Sequence, residues 1–479
     1  DLHSFPTRRS SDLVVGAGPG GYESAVYAAE NFGMKVAVIE KQRLGGTCLN
    51  RGCIPTKAML HSALLYNRIR RHGDELGLTG SSHLGYDLSK IQKHKNAVVD
   101  RLKSGINFLM KTNGVVIYKG HGAIMSEKLV SVTDDRGGVE VLETSNILIA
   151  TGSVTALPPI PGIDNHGVVT SETLLELDKS IKTLTIIGGG VIGCEFASLF
   201  SSLGTKVTII EAMGQLLPNM DRETAQNLKM ILKRTGDVDV HTNSTVTRIE
   251  KNDTDGGTLK CLFNEKNSET ESGIESDMIL ISVGRAPYTS GLVAEDAPKE
   301  ITAVISGKGD IEVNENFETH VPGIYAIGDV TGGAQLAHVA AAEGKIAVSR
   351  MNGADPEISM DIVPSCIYTE PEIASVGLTP MQAKDMGIDA VSHKYTMNAN
   401  GKSLLSLQER GFIRLTVAKD TGKILGAQMM CARATDMISQ FSQAIVSGIT
   451  PREMARTIYP HPTFSEGIPG VLAEFNSRK

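Results

Sequence analysis

The chain has 479 residues, 41% of them hydrophobic, with 50 glycines and a formal net charge of −7. That length implies two to four domains with ample core, and the glycine content suits an α/β protein rich in tight turns. The negative balance removes the electrostatic case for nucleic acid or an anionic membrane, and no apolar run approaches the roughly 18 residues that span a bilayer.

Residues 1–11, DLHSFPTRRSS, carry no targeting pattern and do not look like the start of an α/β domain; the expectation is a non-native lead. A short apolar strand, Leu13–Val15, runs into Gly16-Ala-Gly18-Pro-Gly-Gly21. A helix with Ala25, Ala28 and Ala29 comes next, then a strand from Lys35 to Ile39 ending in Glu40. Strand, Gly-x-Gly-x-x-Gly, helix, strand and acid together read as a dinucleotide site. Gly16 permits the tight turn, Gly18 lets a pyrophosphate approach the backbone, Gly21 lets the helix pack on the sheet, and Glu40 can take a ribose hydroxyl.

Next comes Gly45-Gly-Thr-Cys48-Leu-Asn-Arg-Gly-Cys53-Ile-Pro-Thr-Lys57. Apolar residues at helical spacing (Ala58, Leu60, Ala63, Leu64) and Pro55 near the start place the cysteines at a helix N-terminus. There the dipole and unpaired amides favour the thiolate, the reactive form of sulfur. A structural disulfide fits poorly with a reducing compartment, and half a zinc site would need a second ligand pair that the chain lacks. A redox pair is the favoured reading. The other cysteines (Cys194, Cys261, Cys366, Cys431) read as small buried hydrophobes. Residues 58–115 read as helical, with Arg68, Arg70, Arg71, Lys93 and Lys95 on solvated faces.

A strand at Val115–Tyr118 leads to Gly120-His-Gly122, and another, from Ile147, ends at Thr151-Gly152-Ser153 before a linker containing Pro158, Pro159 and Pro161. Then the first unit repeats: strand Leu184–Ile187, loop Gly188-Gly-Gly190-Val-Ile-Gly193, helix Cys194–Leu203, and strand Lys206–Ile210 ending at Glu211. Two full fingerprints are much stronger evidence than one. A terminal acid accepts from a free 2′-hydroxyl and repels a 2′-phosphate, so Glu211 favours NAD over NADP. From about residue 353 the pattern changes to strands (Ile413–Val417, Ile424–Met429) and amphipathic helices without a nucleotide loop. The end, Tyr459-Pro-His461-Pro-Thr463-Phe-Ser465-Glu466, offers an imidazole with a carboxylate five residues on, suited to general acid/base work.

These segments, in this order, closely resemble the pyridine nucleotide–disulfide oxidoreductases over nearly all of residues 12–479. The wording around the cysteines is most similar to members that reoxidise dihydrolipoamide. The resemblance implies an α/β fold: two Rossmann-like dinucleotide-binding domains plus a C-terminal α+β dimerisation domain. An FAD domain would take residues 12–153 and 284–352, an NAD domain 154–283, and the interface domain 353–479. It also implies that Cys48 and Cys53 form the redox disulfide, Cys48 meeting the substrate and Cys53 stacking on the flavin. Glu195 would pair with Lys57 beside the flavin ring. Gly122 would lie at the adenine end, Thr151, Gly152 and Ser153 where the chain leaves the FAD domain, and Asp329 on the ribityl chain. Gln335-Leu336-Ala337-His338 would open a helix under the isoalloxazine, with His338 packing or backbone-positioned and not catalytic. Gly188, Gly190, Gly193 and Glu211 would hold NAD, with Val246 and Gly284 as weaker contacts. His461, oriented by Glu466, would reach the disulfide of the other subunit of a homodimer in the cytoplasm. Electrons would pass from a dihydrolipoyl group, on the acyltransferase core of a 2-oxoacid dehydrogenase-type complex, through the disulfide and FAD to NAD. Tyr288 and Tyr459 depart from the usual Asn and His. Rival members fit less well: no C-terminal cysteine pair supports a mercuric reductase, and Glu211 disfavours a glutathione-type reductase. The intact cysteines and His461 disfavour a transhydrogenase or a redox-dead scaffold.

Overall fold

Two parallel sheets of five strands repeat one plan in the computed structural model, which describes residues 7–9, 12–251, 257–266, 268, 270–408 and 410–476. The first sheet runs Ile324–Ala326, Asn146–Ile149, Asp12–Val15, Val36–Glu40, Val116–Lys119. The second runs Val168–Thr170, Met278–Ile281, Thr183–Ile187, Lys206–Glu211, Val238–Thr242. In each, the strand feeding the glycine loop lies third and the strand ending in the acid lies fourth. The strand Asp12–Val15 is buried at every position, as a parallel strand covered on both faces must be. The first sheet borrows Ile324–Ala326 from far along the chain, and the antiparallel pair Ser153–Thr155 with Arg285–Pro287 carries the chain out and back. A third sheet of five antiparallel strands, among them Ser365–Ile367, Phe412–Ala418 and Ile424–Met430, packs on the helix Ala434–Val446 around its own apolar cluster. Dinucleotide sites open beyond the carboxyl ends of such parallel strands, so the two glycine turns are set to share a cleft.

Two expectations change. The helical reading of residues 58–115 is too long: one helix is Cys53–His72, and the next, Leu88–Thr112, starts where Asp87 accepts from Lys90 N at 3.2 Å. Gly77 and Gly80, at φ 76° and 81°, turn the chain between them. Lys95 is not on a solvated face: it is 1% exposed and donates to Leu175 O at 2.9 Å and Glu176 Oε1 at 2.7 Å. A buried ammonium persists there because a carbonyl and a carboxylate take two of its three hydrogens. Of the expected lead, residues 1–6 and 10–11 lie outside the described residues, while Thr7–Arg9 pair in parallel with Val141–Glu143.

Candidate active site

Each glycine turn is built the same way. Gly16 and Gly188 both sit at φ 105°, and a Cβ there would lie 2.4 Å and 2.5 Å from a carbonyl of the neighbouring strand end, Ala150 and Ser282. Gly21 and Gly193 press the first helical turn onto the loop: an added Cβ would come within 1.9 Å and 2.0 Å of Gly16 O and Gly188 O. Gly18 and Gly190 differ, because a Cβ would find its nearest heavy atom at 4.0 Å in one case and none within 4 Å in the other. That open space is the close approach a diphosphate needs. Each acid is tied to the middle of its own turn. Glu40 accepts from Ala17 N at 2.9 Å, and Glu211 from Gly189 N at 2.6 Å.

Both turns face one cavity of about 1040 Å3. Gly16, Gly18, Glu40 and Gly122 line it from the first unit, and Gly188, Gly190, Glu195, Glu211 and Gly284 from the second. Between them stand Cys48, Cys53 and Lys57; Thr151, Gly152, Ser153 and Asp329 form another wall with Gln335, Leu336, Ala337 and His338. Gly21, Gly193, Val246, His461 and Glu466 lie off it. The two glycines act by packing, whereas Val246 belongs to the antiparallel strand Ser244–Lys251, where it packs on the apolar cluster around Ile249 and Phe263. The walls suit a dinucleotide cofactor: besides the two open glycines, the Thr151 hydroxyl is enclosed and has no partner among the described residues.

The cysteines do not share one helix N-terminus. Cys53 is the first residue of Cys53–His72, but Cys48 sits in a separate short helix, Gly46–Arg51, with Gly52 as the joint. A Cβ on Gly52 would lie 3.0 Å from Thr47 O, so the joint keeps its residue small. Both cysteines are free thiols, Cys48 half-buried and Cys53 exposed to the cavity. The Cys48 thiol donates to the Cys53 sulfur, and this bond, aided by the Lys57 ammonium against the cost of burial, holds Cys53 down to about 7. The same bond and burial push Cys48 up.

Lys57 Nζ donates to Glu195 Oε2 at 2.6 Å, the pairing expected from the resemblance, and Glu195 is buried. The other oxygen, Oε1, accepts from Tyr368 N at 3.1 Å, and the Tyr368 ring centroid lies 4.8 Å from Lys57 Nζ. Asp329 accepts from the Ser153 hydroxyl, which in turn accepts from Arg285 Nε at 2.7 Å. Behind Asp329, the buried Glu343 accepts from Gly328 N at 2.6 Å; burial holds its carboxyl above the usual range. His338 Nε2 lies 2.8 Å from Pro364 O, so backbone positions this exposed, cavity-lining side chain. His461 is 78% exposed, with Nδ1 at 2.8 Å from Glu466 Oε1. Thr463 N, donating at 2.8 Å, and then His461 hold the Glu466 carboxyl low.

Sequence reasoning missed four residues. Arg285 was legible only as part of a turn, although a cation beside Gly284 was a signal. Glu343 and Tyr368 carried none. Cys366, expected as a buried hydrophobe, is half-buried and lines the cavity, while Cys194, Cys261 and Cys431 are buried as expected. At the two departures, Tyr288 N donates to Gly152 O at 2.9 Å, so the turn closes through backbone, and Tyr459 packs against the cluster of the third sheet.

Comparison with known proteins gives the same picture. Residues 11–344 match the pyridine nucleotide-disulphide oxidoreductase family, and residues 363–471 match the dimerisation domain of that family. A dihydrolipoyl dehydrogenase of Bacillus subtilis is 38% identical over 465 residues, covering 95% of this chain and 96% of that protein. The human mitochondrial dihydrolipoyl dehydrogenase is 37% identical over 480 residues, covering 98% and 92%. Among solved structures, LpdA of Mycobacterium tuberculosis superposes with a TM-score of 0.87 at 25% identity, covering 97% of this chain and 99% of that one. The HOCl-induced flavoprotein disulfide reductase RclA of Escherichia coli, as its Cu(II) complex, gives 0.85 at 29% identity, covering 98% and 99%. With its paired glycine turns, its thiol pair and a family match over most of its length, the chain belongs to the pyridine nucleotide-disulphide oxidoreductases.

Proposed function

We propose that this protein reoxidises dihydrolipoyl groups to the cyclic disulfide, using FAD and NAD. It does so as a homodimer in the cytoplasm, serving the lipoyl-bearing core of a 2-oxoacid dehydrogenase-type complex. One observation carries the reading: the Cys48 and Cys53 pair beside the Lys57–Glu195 ion pair, in a cavity that also holds two open glycine turns. The identities of 36–39% with dihydrolipoyl dehydrogenases from bacteria to mitochondria favour this substrate over other dithiols. No helix among the described residues is long and apolar enough to cross a membrane.

The reaction starts from the Cys48–Cys53 disulfide. A substrate thiolate forms a bond to Cys48 as the Cys48–Cys53 bond breaks, and Cys53 leaves as a thiolate. The second substrate sulfur, deprotonated by a base, then displaces Cys48 and closes the substrate disulfide; the pair now carries two more electrons. Cys53 is the natural leaving group because the Lys57 ammonium beside it stabilises its charge. The flavin, when bound, supplies the two-electron link between thiol and nicotinamide chemistry. Asp329 with Ser153 and the helix opening at Ala337 would hold the flavin, while Glu40 and Glu211 would take the ribose hydroxyls. His461 is the base, Glu466 holding its Nδ1. Within one chain it is exposed and off the cavity wall, so it serves the cavity of a second copy, which fits the family's dimerisation match.

The test is reduction of NAD, and of NADP in parallel, by dihydrolipoamide with purified protein, together with absorbance on adding dithiol. The expected result is NAD-linked turnover with a long-wavelength thiolate-to-flavin band. Bound flavin with neither band nor turnover would refute the reading.

A further inference from the structure

Arg51 lies inside the cysteine segment, yet its charge is not spent on the sulfurs. The cation that acts on both thiols is Lys57. Arg51 instead lines the cavity, with its side chain 38% exposed, and forms an ion pair with Glu172, Nε to Oε2 at 3.4 Å. Its Nε is enclosed, and among the described residues the guanidinium makes no hydrogen bond. The other Glu172 oxygen is 4.0 Å from Arg285 Nη2. Arg285 is fixed from behind, Nε to Ser153 Oγ and Nη2 to Ser153 O, both at 2.7 Å. One carboxylate therefore spaces two guanidiniums at the cavity wall, one of them with its donor fork unused. The short helix carrying Arg51 begins against the first glycine turn: a Cβ on Gly46 would lie 2.6 Å from Gly18 Cα, where the diphosphate space opens. A planar fork of donors matches phosphate oxygens in geometry and charge.

We propose that Arg51, with Arg285 as its neighbour, is a phosphate-holding residue for the diphosphate of the flavin dinucleotide, and that Glu172 sets the spacing of the two guanidiniums. This rests on the flavin reading of the cavity. It places a charge-assisted clamp on the segment that carries the redox pair, so the cofactor and the cysteine loop are held together.

The experiment strips the full-length protein of flavin and titrates FAD back by fluorescence at low and high salt. Wild type should bind tightly, with affinity falling as salt rises. Arg51→Val should bind about tenfold more weakly, the worth of one charge-assisted contact, with a flatter salt dependence. Arg51→Lys should keep the salt dependence but recover only part of the affinity, because it lacks the fork. Should Arg51→Val fail to fold, Arg51→Gln takes its place. Wild-type affinity in the neutral variant, or weaker binding with an unchanged salt slope, would overturn the assignment and leave the flavin reading standing. Failure of wild type to take up FAD would overturn both.

Discussion

Gly190→Ala and Gly193→Ala differ by three positions in the second glycine turn and should fail in opposite ways. At Gly193 an added Cβ would sit 2.0 Å from Gly188 O, against an ordinary contact of 3.4 Å or more, an overlap of 3.4 − 2.0 = 1.4 Å. The carbonyl cannot swing away cheaply, because Gly188 N is bonded to Ile210 O at 2.9 Å and its φ is 105°. Overpacking of this kind costs about 1–3 kcal/mol. Replacing glycine within the helix Val191–Ser202 returns up to about 1 kcal/mol. With about 1 kcal/mol returned the net is a loss of up to about 2 kcal/mol and a fall in apoprotein melting temperature of up to roughly 8 °C. At Gly190 the backbone is at φ −73° and ψ −169°, open to alanine, and nothing lies within 4 Å of the new methyl. Melting should not change. The methyl would fill the space a diphosphate enters, so NAD affinity should drop at least about tenfold while FAD content stays at wild type. Scanning calorimetry of the apoproteins and NAD titration by flavin fluorescence separate the two. A Gly190→Ala protein that melts as low as Gly193→Ala, or binds NAD like wild type, would refute the assignment of the open space.

Lys57→Met removes the cation beside Cys53, so the sulfur's titration should move up from about 7 toward 9.0. Alkylation of the reduced pair, which in wild type sets in as pH rises through about 7, would then set in later; an unmoved midpoint would clear Lys57 of the role. Adding Glu195→Gln should recover stability, by removing an unpaired buried carboxylate, and should bring the midpoint only part of the way back, because the Glu195 charge raises Cys53 by less than Lys57 lowers it. Cys53→Ser should retain FAD and lose dithiol-dependent NAD reduction, and full turnover in that variant would remove the disulfide from the chemistry. Lys95→Met fills the same space but leaves Leu175 O with Gln92 Nε2 alone, at 2.9 Å, so it should destabilise by about 1–3 kcal/mol without changing the thiol titration. Chemical denaturation together with alkylation would expose any coupling between the two.

What was legible in the chain was what neighbours in sequence dictate. The clash at Gly16, with Ala150 O of a distant strand, could not be read, whereas the spacing within each glycine turn could, because the clash at Gly21 is with Gly16 O, five residues back. The acid after each second strand was legible for the same reason. The break after His72 was present as Gly73, Gly77, Gly80 and Asp87, but the apolar spacing on both sides argued for one long helix and hid it. Lys95 could not have been placed. Its partners, Leu175 and Glu176, are 80 and 81 residues away, and a lysine on a helix otherwise carrying Lys90, Lys93 and Lys103 looks like solvent-facing charge. The network of Ser153, Arg285, Asp329 and Glu343 is likewise drawn from separate stretches that only the crossing strands bring together.

The two nucleotide turns are near copies, so the turns alone do not say how thiol chemistry on one side is tied to the nicotinamide site on the other. Glu195 makes that tie. It belongs to the helix of the second turn, two residues past Gly193, yet it bonds to Lys57 on the cysteine helix of the first unit, 138 residues earlier. With side-chain exposure of only 4%, and with both oxygens committed to Lys57 and Tyr368 N, it has no solvent to fall back on. A shift of the second turn therefore either drags Lys57 with it or strands a buried charge, at a cost of about 3–5 kcal/mol. The position of Lys57 in turn helps set the charge on Cys53. Thiolate poise and the placement of the second turn are thus one mechanical unit, in which the sulfur pair cannot be tuned without reference to the turn that faces it.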